Sequence, residues 1–522
     1  MTSAPTALLT FSIGPVHSFI GQARRIADLW SGSAILSDVT TTAMETLLSS
    51  EGTDLIFPDT NSPRELKGVP NRFVARVPRH DPDAIAKTIE ATVAKRWEAI
   101  VDHAKTTLIR NAKPDAGAEK AIAGAPWRDA LTTAWSWIEE EGDYRKISDE
   151  GARLFAASRI YRPFGPAGEA GTKCAICGER NALPDGNRSH VEALWRTAET
   201  LTQHGPFSRY FRYSQTRLCL ICTAKRLYPT FEGDAKRAIF ESFEDFQPEE
   251  DRPYFAVVTM DGDSLGERLR GDKMRNGNLE EYQRKVSTKL SDFAKSLHTR
   301  TAELNIASLQ VQAANADHPP QLIYAGGEDV LFVADPRDAL NVTEAIQRRY
   351  AQMFSDPDFS PKDFTISAAV LFAHTSAPAG LLFKDADRLL TQKAKAGTKN
   401  AVAVALHKRS GSPVEVVLPW DKPWLKSLLG LQKTLRDRQL ASRQTYDLAE
   451  ADRTLHEVFS NREQWRAWLE YRLGQGELSA ELVPTLADLL EPFFLESKTA
   501  ALRIARFLAV EAEPRRSKEG AA

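Results

Sequence analysis

Apolar positions along this chain recur with two periods. Short runs that are apolar almost throughout read as strands. Longer segments with apolar residues every three or four positions read as amphipathic helices. From residue 254 the pattern predicts a strand (254–260), a helix (279–300), two neighbouring strands (321–325 and 330–334), a helix (337–354) and a strand (364–373). A further helix (380–396) and strand (401–407) follow. The first six elements run β-α-β-β-α-β, the order of the ferredoxin-like unit. In that unit the third strand lies between the first and second, antiparallel to both. The turn from second to third strand therefore falls beside the C-terminal end of the first.

The N-terminal third carries a similar order. Residues 7–13 read as a strand, 15–30 as a helix and Thr41–Leu48 as another. Leu55–Phe57 and Phe73–Val77 read as strands, and Asp83–Leu108 as a long amphipathic helix. After Pro419 the strand signal fades and helical spacing takes over, as in Leu425–Arg436 and Lys498–Val510, which predicts a small bundle. The charged tail from Pro514 is expected to fray. The expected class is α+β. Two ferredoxin-like domains (1–165 and 251–415) would flank a metal-binding segment (166–250) and precede a C-terminal helical domain (416–522).

Chemistry concentrates at the predicted strand ends. The string Tyr324-Ala-Gly-Gly-Glu-Asp-Val-Leu-Phe places Gly326, Gly327, Glu328 and Asp329 at a hairpin tip. Asp261 and Asp263 end the strand Tyr254-Phe-Ala-Val-Val-Thr-Met. Glycines and acids also make ordinary polar turns. Two carboxylate clusters that the fold brings together are better suited to Mg²⁺, which takes hard oxygen ligands and substrate phosphates. The chemistry this points to is two-metal nucleotidyl transfer. The glycine pair would let backbone approach a phosphate closely. Between a helix and a strand, Ala394-Lys395-Ala-Gly-Thr-Lys399-Asn400 offers lysines that could hold a triphosphate, or form a solvated helix end.

Composition narrows the class. The chain has 522 residues, so more than one domain is expected. It is 42% hydrophobic and 26% charged, as soluble globular proteins are. A net charge of −2 gives no global nucleic-acid signature, so such contacts must be local. No leader pattern precedes Ala7-Leu-Leu-Thr-Phe and no run of about 18 apolar residues occurs, which predicts a cytoplasmic chain without membrane contact. The four cysteines form two CxxC pairs, Cys174/Cys177 and Cys219/Cys222, separated by 41 residues. Disulfides would use the same residues. In a cytosolic chain the spacing points instead to a closed Cys₄ zinc site of structural character. The long insert should carry its own helix near Val191–His204.

Several strings together resemble one family. They are Ile13-Gly-Pro-Val-His-Ser-Phe-Ile20, Asp28-Leu-Trp-Ser-Gly-Ser33, Pro70-Asn-Arg-Phe73, the CxxC pair, Met260-Asp-Gly-Asp-Ser-Leu-Gly266, Tyr324-Ala-Gly-Gly-Glu-Asp329 and Ala394-Lys395. In this order they resemble the large polymerase/cyclase subunit of type III CRISPR effector complexes, the Cmr-two (type III-B) branch of the Cas-ten family. The resemblance implies two palm domains of nucleotidyl cyclase-like fold around a zinc-bearing region. It also implies conversion of ATP to cyclic oligoadenylate on target-RNA binding. The implied partners are the other effector subunits, with CRISPR RNA and target RNA held through the complex. A catalytically silent scaffold of the same complex is one alternative, and a purine nucleotide cyclase or polymerase outside CRISPR is another.

Under this resemblance Asp261, Asp263, Glu328 and Asp329 are the expected catalytic acids, with Asp261 and Glu328 the Mg²⁺ or Mn²⁺ ligands. Gly262, Gly326, Gly327, Lys395 and Lys399 would contact ATP, and a second ATP would lie against the N-terminal palm. Ser12 and Ser18 are candidate contacts there. Arg24 and Arg25 would be either a nucleic-acid contact or a solvated helix face. The family usually has Gly-Gly-Asp-Asp where this chain has Glu328, and activity is expected to survive that change. The sequence starts at the palm strand, without the HD nuclease domain of many relatives, so single-stranded DNA cleavage is not expected. The pair His80-Asp81 lacks the neighbouring histidines that would replace it. Relatives often carry Gln where this chain has His17.

Overall fold

The computed structural model describes residues 5–160, 170–202, 217–231 and 253–512, apart from 275–276, 300–302, 315–317, 398, 410, 438, 440–442, 444, 447, 449–461, 475–481 and 494–497. The tail from Pro514 lies outside the described residues. Among the described residues, two sheets organise the chain. The first is built from β1 (Thr6–Gly14), β2 (Asp54–Phe57), β3 (Arg72–Pro78) and β4 (Thr132–Glu139), in the order β2-β3-β1-β4. Its helices include α1 (His17–Gly21), α2 (Ile26–Leu48), α3 (Pro82–Ala112), α4 (Ala116–Gly124) and α5 (Tyr144–Ile160). With β4 present, this half too is a complete β-α-β-β-α-β unit.

The N-terminal helices differ from the sequence expectation. Instead of helices at 15–30 and 41–48, the chain breaks between α1 and α2, and α2 then runs unbroken to Leu48. The cause is tertiary. The ammonium of Lys225, itself 1% exposed, donates to the carbonyls of Phe19 (2.6 Å), Ile20 (3.4 Å) and Gln22 (2.6 Å). Asp28 then accepts from the backbone N–H groups of Arg24 and Arg25 at 3.1 and 3.2 Å, opening α2. Asp28 also forms a buried ion pair with Arg226 at 3.1 Å. Lys225 and Arg226 both lie on α7 (Leu220–Phe231), which follows α6 (Arg188–Thr202) in the cysteine-bearing segment. Gly32 is needed here, since a Cβ would stand 3.1 Å from Lys225 Cε.

The second sheet is larger, with the order β10-β9-β8-β5-β7-β6. Its strands are β5 (Tyr254–Gly262), β6 (Gln321–Gly326), β7 (Asp329–Ala334), β8 (Ile366–His374), β9 (Ala401–His407) and β10 (Val414–Pro419). β7 pairs antiparallel with both β5 and β6, as the ferredoxin-like order requires. The helices α8 (Leu265–Leu269), α9 (Leu279–Leu297), α10 (Pro336–Met353) and α11 (Ala379–Leu389) complete this half. β5 is apolar throughout because both its faces are buried. Phe255 and Val257 join the core shared with α2, α3 and α11, whereas Ala256, Val258 and Met260 join the core under α9 and α10. Each large side chain buried this way contributes about 1.5–3 kcal/mol.

β10 is a strand the hydrophobic pattern did not mark. The C-terminal helices Trp424–Arg436, Arg462–Gly474, Leu482–Leu490 and Lys498–Arg506 share their core with the second sheet rather than forming a separate one. The ring of Phe507 lies 5.1 Å from Tyr254 and 5.4 Å from Phe372. Among the described residues no helix is long and apolar enough to cross a membrane.

Ion pairs join the two halves. Arg284 on α9 donates to the Leu55 carbonyl (2.7 Å) and pairs with Asp59 (2.7 Å), Asp54 and Glu280 (3.0 Å). Arg76 on β3 pairs with Glu140 and Glu280, each at 2.7 Å.

Candidate active site and metal centres

The β6–β7 hairpin closes through Gly327 and Glu328, between the paired Gly326 and Asp329. Gly327 has φ 64°, a conformation that glycine adopts freely and that suits the first position of a tight hairpin turn. Because β7 lies next to β5, the tip arrives at the end of β5, where Gly262 receives it. A Cβ on Gly262 would stand 2.7 Å from Glu328 Cβ and 3.0 Å from the Tyr350 hydroxyl. The absent side chain at 262 is therefore what lets Glu328 approach. From the other half, the Gly68 backbone packs so tightly on the Ala325 carbonyl that any Cβ would overlap it.

Asp261, Glu328 and Asp329 converge, with one carboxylate oxygen from each within 4.8 Å of the others. Lys395, just after a π-helical turn (Leu390–Ala394), ion-pairs with Asp261 and donates to the Gly262 carbonyl at 2.9 Å. Asp263 is placed elsewhere. Its carboxylate accepts from the Thr365 and Ser367 hydroxyls, both at 2.8 Å, and from the Asn400 N–H at 3.0 Å. It ties the loop after β5 to β8 and to the Lys399–Asn400 turn, in which both residues have positive φ (59° and 50°). Lys399 donates to the Ser264 hydroxyl at 2.6 Å.

The acids are electrostatically frustrated. Burial, and then the Asp261 charge, pushes the Glu328 carboxyl up to about 7. Burial, followed by Glu328 and Asp261, holds Asp329 well above the usual carboxylate range. Such a cluster gains from a cation that neutralises it. Tyr324 and Tyr350 have raised pKa values, through burial first and the nearby carboxylates second, so both phenols stay protonated.

Two cavities meet at this cluster and share Tyr324 and Asp329 in their walls. The smaller, about 200 Å³, is largely apolar and reaches Asp261, with Val16, Ile20, Phe383 and Leu390 along it. The larger, about 370 Å³, lies between the two sheets, with Thr10 and Arg72 from the first and Glu328 from the second. Tyr324, Tyr350 and Arg72 had no assigned role in the sequence, although Tyr324 and Arg72 lie in strings singled out there. Of the other candidates, His17 lines the smaller cavity, and Ser12 is buried in β1 opposite Arg72. Ser18 and Arg24 are exposed, and Arg25 is buried at the start of α2. His80 and Asp81 form the turn before α3, outside both metal-competent clusters found among the described residues.

The second such cluster is Cys174, Cys177, Cys219 and Cys222. Cys177 Sγ and Cys219 Sγ are 3.8 Å apart, close to the ~3.8 Å edge of a tetrahedron with Zn–S bonds of about 2.3 Å. Backbone N–H groups of Ile176 and Cys222 point at Cys174 Sγ (3.4 Å) and Cys219 Sγ (3.5 Å). Hydrogen bonds from Cys174 and the other thiols depress Cys177 far below a free thiol, whereas Cys219 and Cys222 are raised. With Cys174 also lowered, to about 7, the cluster favours thiolates and could hold a metal ion, and all four cysteines are free rather than in disulfides.

Residues 254–403 match the model of the Cas10/Cmr2 second palm domain, and residues 8–102 match that of the N-terminal region of the CRISPR-associated protein Cmr2. These two regions are of the Cas10/Cmr2 family. Among curated proteins, it is 28% identical over 180 residues to the CRISPR system Cmr subunit Cmr2 of Pyrococcus furiosus. That match covers 32% of this chain and 20% of the relative, so the chain matches about a fifth of that protein's length. Among solved structures, a chain of the type III-B Cmr-beta complex bound to cognate target RNA superposes with TM-score 0.65 at 13% identity, covering 97% of this chain and 83% of that one. A chain of the Csm1–Csm4 cassette in complex with cA4 gives TM-score 0.51 at 12% identity, covering 97% and 70%. At these identities the two likenesses show a shared fold.

Proposed function

We propose that this chain is the ATP-converting subunit of an RNA-guided type III CRISPR effector complex and makes cyclic oligoadenylate when target RNA binds. The observation that carries this reading is the convergence of Asp261, Glu328 and Asp329 where two cavities meet. The donor set is all carboxylate, which suits Mg²⁺ or Mn²⁺. Bound there, the ions would activate a ribose hydroxyl of one ATP for attack on the α-phosphorus of the other and offset charge on the departing pyrophosphate.

The remaining contributions come from the chain's own residues. The smaller cavity takes one adenine against Ile20, Phe383 and Leu390, and the larger holds the second nucleotide. Their common wall at Tyr324 and Asp329 sets the two reacting groups side by side, which removes much of the entropic barrier. Lys395 exchanges its contact with Asp261 for phosphate oxygens, and Lys399 assists from the adjoining turn. Gly262, Gly326 and Gly327 keep the backbone low enough for a triphosphate to approach. Asp263 acts as the brace of this turn. The Cys₄ cluster would hold zinc and serve as a structural staple. Other effector subunits, CRISPR RNA and target RNA are the partners, in line with the family. The complex found with cA4 is consistent with a cyclic adenylate product.

The test is to assemble the complex and incubate it with labelled ATP, Mg²⁺ or Mn²⁺, and matched target RNA. Cyclic oligoadenylate formed only with target RNA is the expected result. No product under any condition would reduce the chain to a scaffold. Target-independent cyclisation of ATP or GTP would place it outside this role.

A further inference from the structure

We propose that Arg72 binds the polyphosphate of the nucleotide occupying the larger cavity. The inference rests on the nucleotidyl-transfer reading above and adds a recognition residue to it. β3 sends alternate residues to opposite faces. Phe73, Ala75 and Val77 enter the core against α2 and α3, whereas Arg72, Val74 and Arg76 face the second half of the molecule. Arg76 is fully engaged there by Glu140 and Glu280. Arg72 is not. Among the described residues its guanidinium has no carboxylate partner and no hydrogen bond. It lies over the Phe155 ring of α5, its Cζ 4.6 Å from the centroid.

Its environment makes this arrangement costly. Burial and the charge of Arg159 both work against the guanidinium, yet an arginine stays protonated in proteins. A half-buried cation without a counter-charge is unfavourable. The stack on Phe155 fixes its plane but supplies no anion. Two neighbours of Arg72 in the string Pro70-Asn-Arg-Phe have visible structural tasks. Asn71 donates from its side chain to the Ile13 carbonyl at 3.0 Å, and Phe73 stacks on Phe11 at 5.3 Å. The Arg72 guanidinium has no such hydrogen-bonded task among the described residues.

The cavity supplies the missing partner's shape. Asn71, Arg72 and Arg270 line it, and so do Glu328 and Asp329. Its wall thus carries both cations and acids. A nucleoside polyphosphate suits such a wall, with its ribose hydroxyl towards the acids and its phosphates towards Arg72. The planar guanidinium can grip two phosphate oxygens at once, which lysine cannot. Lys395 instead pairs with Asp261, which lines the smaller cavity, so the two cations would serve different nucleotides.

The test is equilibrium binding to the purified full chain in Mg²⁺, using a non-transferable ATP analogue and, separately, adenosine. The wild type should bind two equivalents of the analogue. Arg72→Gln should weaken one of them by about tenfold or more, the loss expected for a charge-assisted contact, and leave adenosine binding unchanged. Arg72→Lys, which keeps the stem and the charge, should fall between. Its circular dichroism and melting temperature show whether the fold survives. The proposal is overturned if Arg72→Gln or a folded Arg72→Lys binds both equivalents as the wild type does, or if the wild type binds the analogue no better than adenosine. Failure of the transfer reading itself shows separately, as ATP turnover in the complex that survives Glu328→Gln.

Discussion

Glu328 stands where burial and the Asp261 charge both oppose its ionisation. A glutamate shifted from 4.5 to about 7 makes the folded chain bind more protons than the unfolded chain between those values. Stability of the chain in EDTA should therefore fall as pH rises through that window. Glu328→Gln, which removes the titrating group, should flatten the decline. Divalent binding displaces the proton, so Mg²⁺ affinity should rise with pH up to and somewhat beyond 7. Thermal melts and calorimetric titrations at roughly pH 5 to 8 would show both trends. A Mg²⁺ affinity independent of pH would mean that Glu328 is not a ligand. Asp263 shows the limit of reading residues by spacing. Its closeness to Asp261 in sequence suggested shared chemistry, but its partners come from β8 and from the Asn400 turn, which no local pattern reveals.

At the scale of elements, the two acid-bearing segments were legible because the strand–helix period changes and the Gly-Gly turn are local signals. The β4 strand was not. Its sequence Thr-Thr-Ala-Trp-Ser-Trp-Ile-Glu is half-exposed along most of its length, so it gives neither a buried run nor a clean in–out alternation. The break between α1 and α2 was equally hidden, because Lys225, some 200 residues away, causes it. That contact gives the cysteine segment a reach beyond its own fold. α7 begins beside Cys219, includes Cys222, and grips the α1–α2 corner, whose Ile20 and Gly21 wall the smaller cavity. Cys219→Ser should lose zinc and loosen residues 19–28, while leaving the second sheet intact. Metal analysis and hydrogen exchange would report this. A variant that keeps full zinc and unchanged exchange at 19–28 would refute the staple.

In the whole molecule, the two halves must stay in register for the larger cavity to exist. Arg284 and Arg76 hold that register across the junction, with side chains about a quarter exposed (22% and 26%). Arg284→Ala should cost about 1–3 kcal/mol, between the values for exposed and buried pairs. A denaturant midpoint shifted by less than about 0.5 kcal/mol equivalent would show that the junction does not depend on it. The apolar pattern supplied the expectation of two ferredoxin-like domains, and the C-terminal helices share the core of the second sheet. The central claim is that Asp261 and Glu328 hold the ions that drive ATP conversion. Its most direct test is turnover of labelled ATP by the assembled complex with target RNA, comparing wild type with Asp261→Asn, Glu328→Gln and Glu328→Asp. The account predicts loss of several orders of magnitude for the two amide variants, and activity retained or raised in Glu328→Asp. Wild-type turnover that Glu328→Gln matches would contradict it.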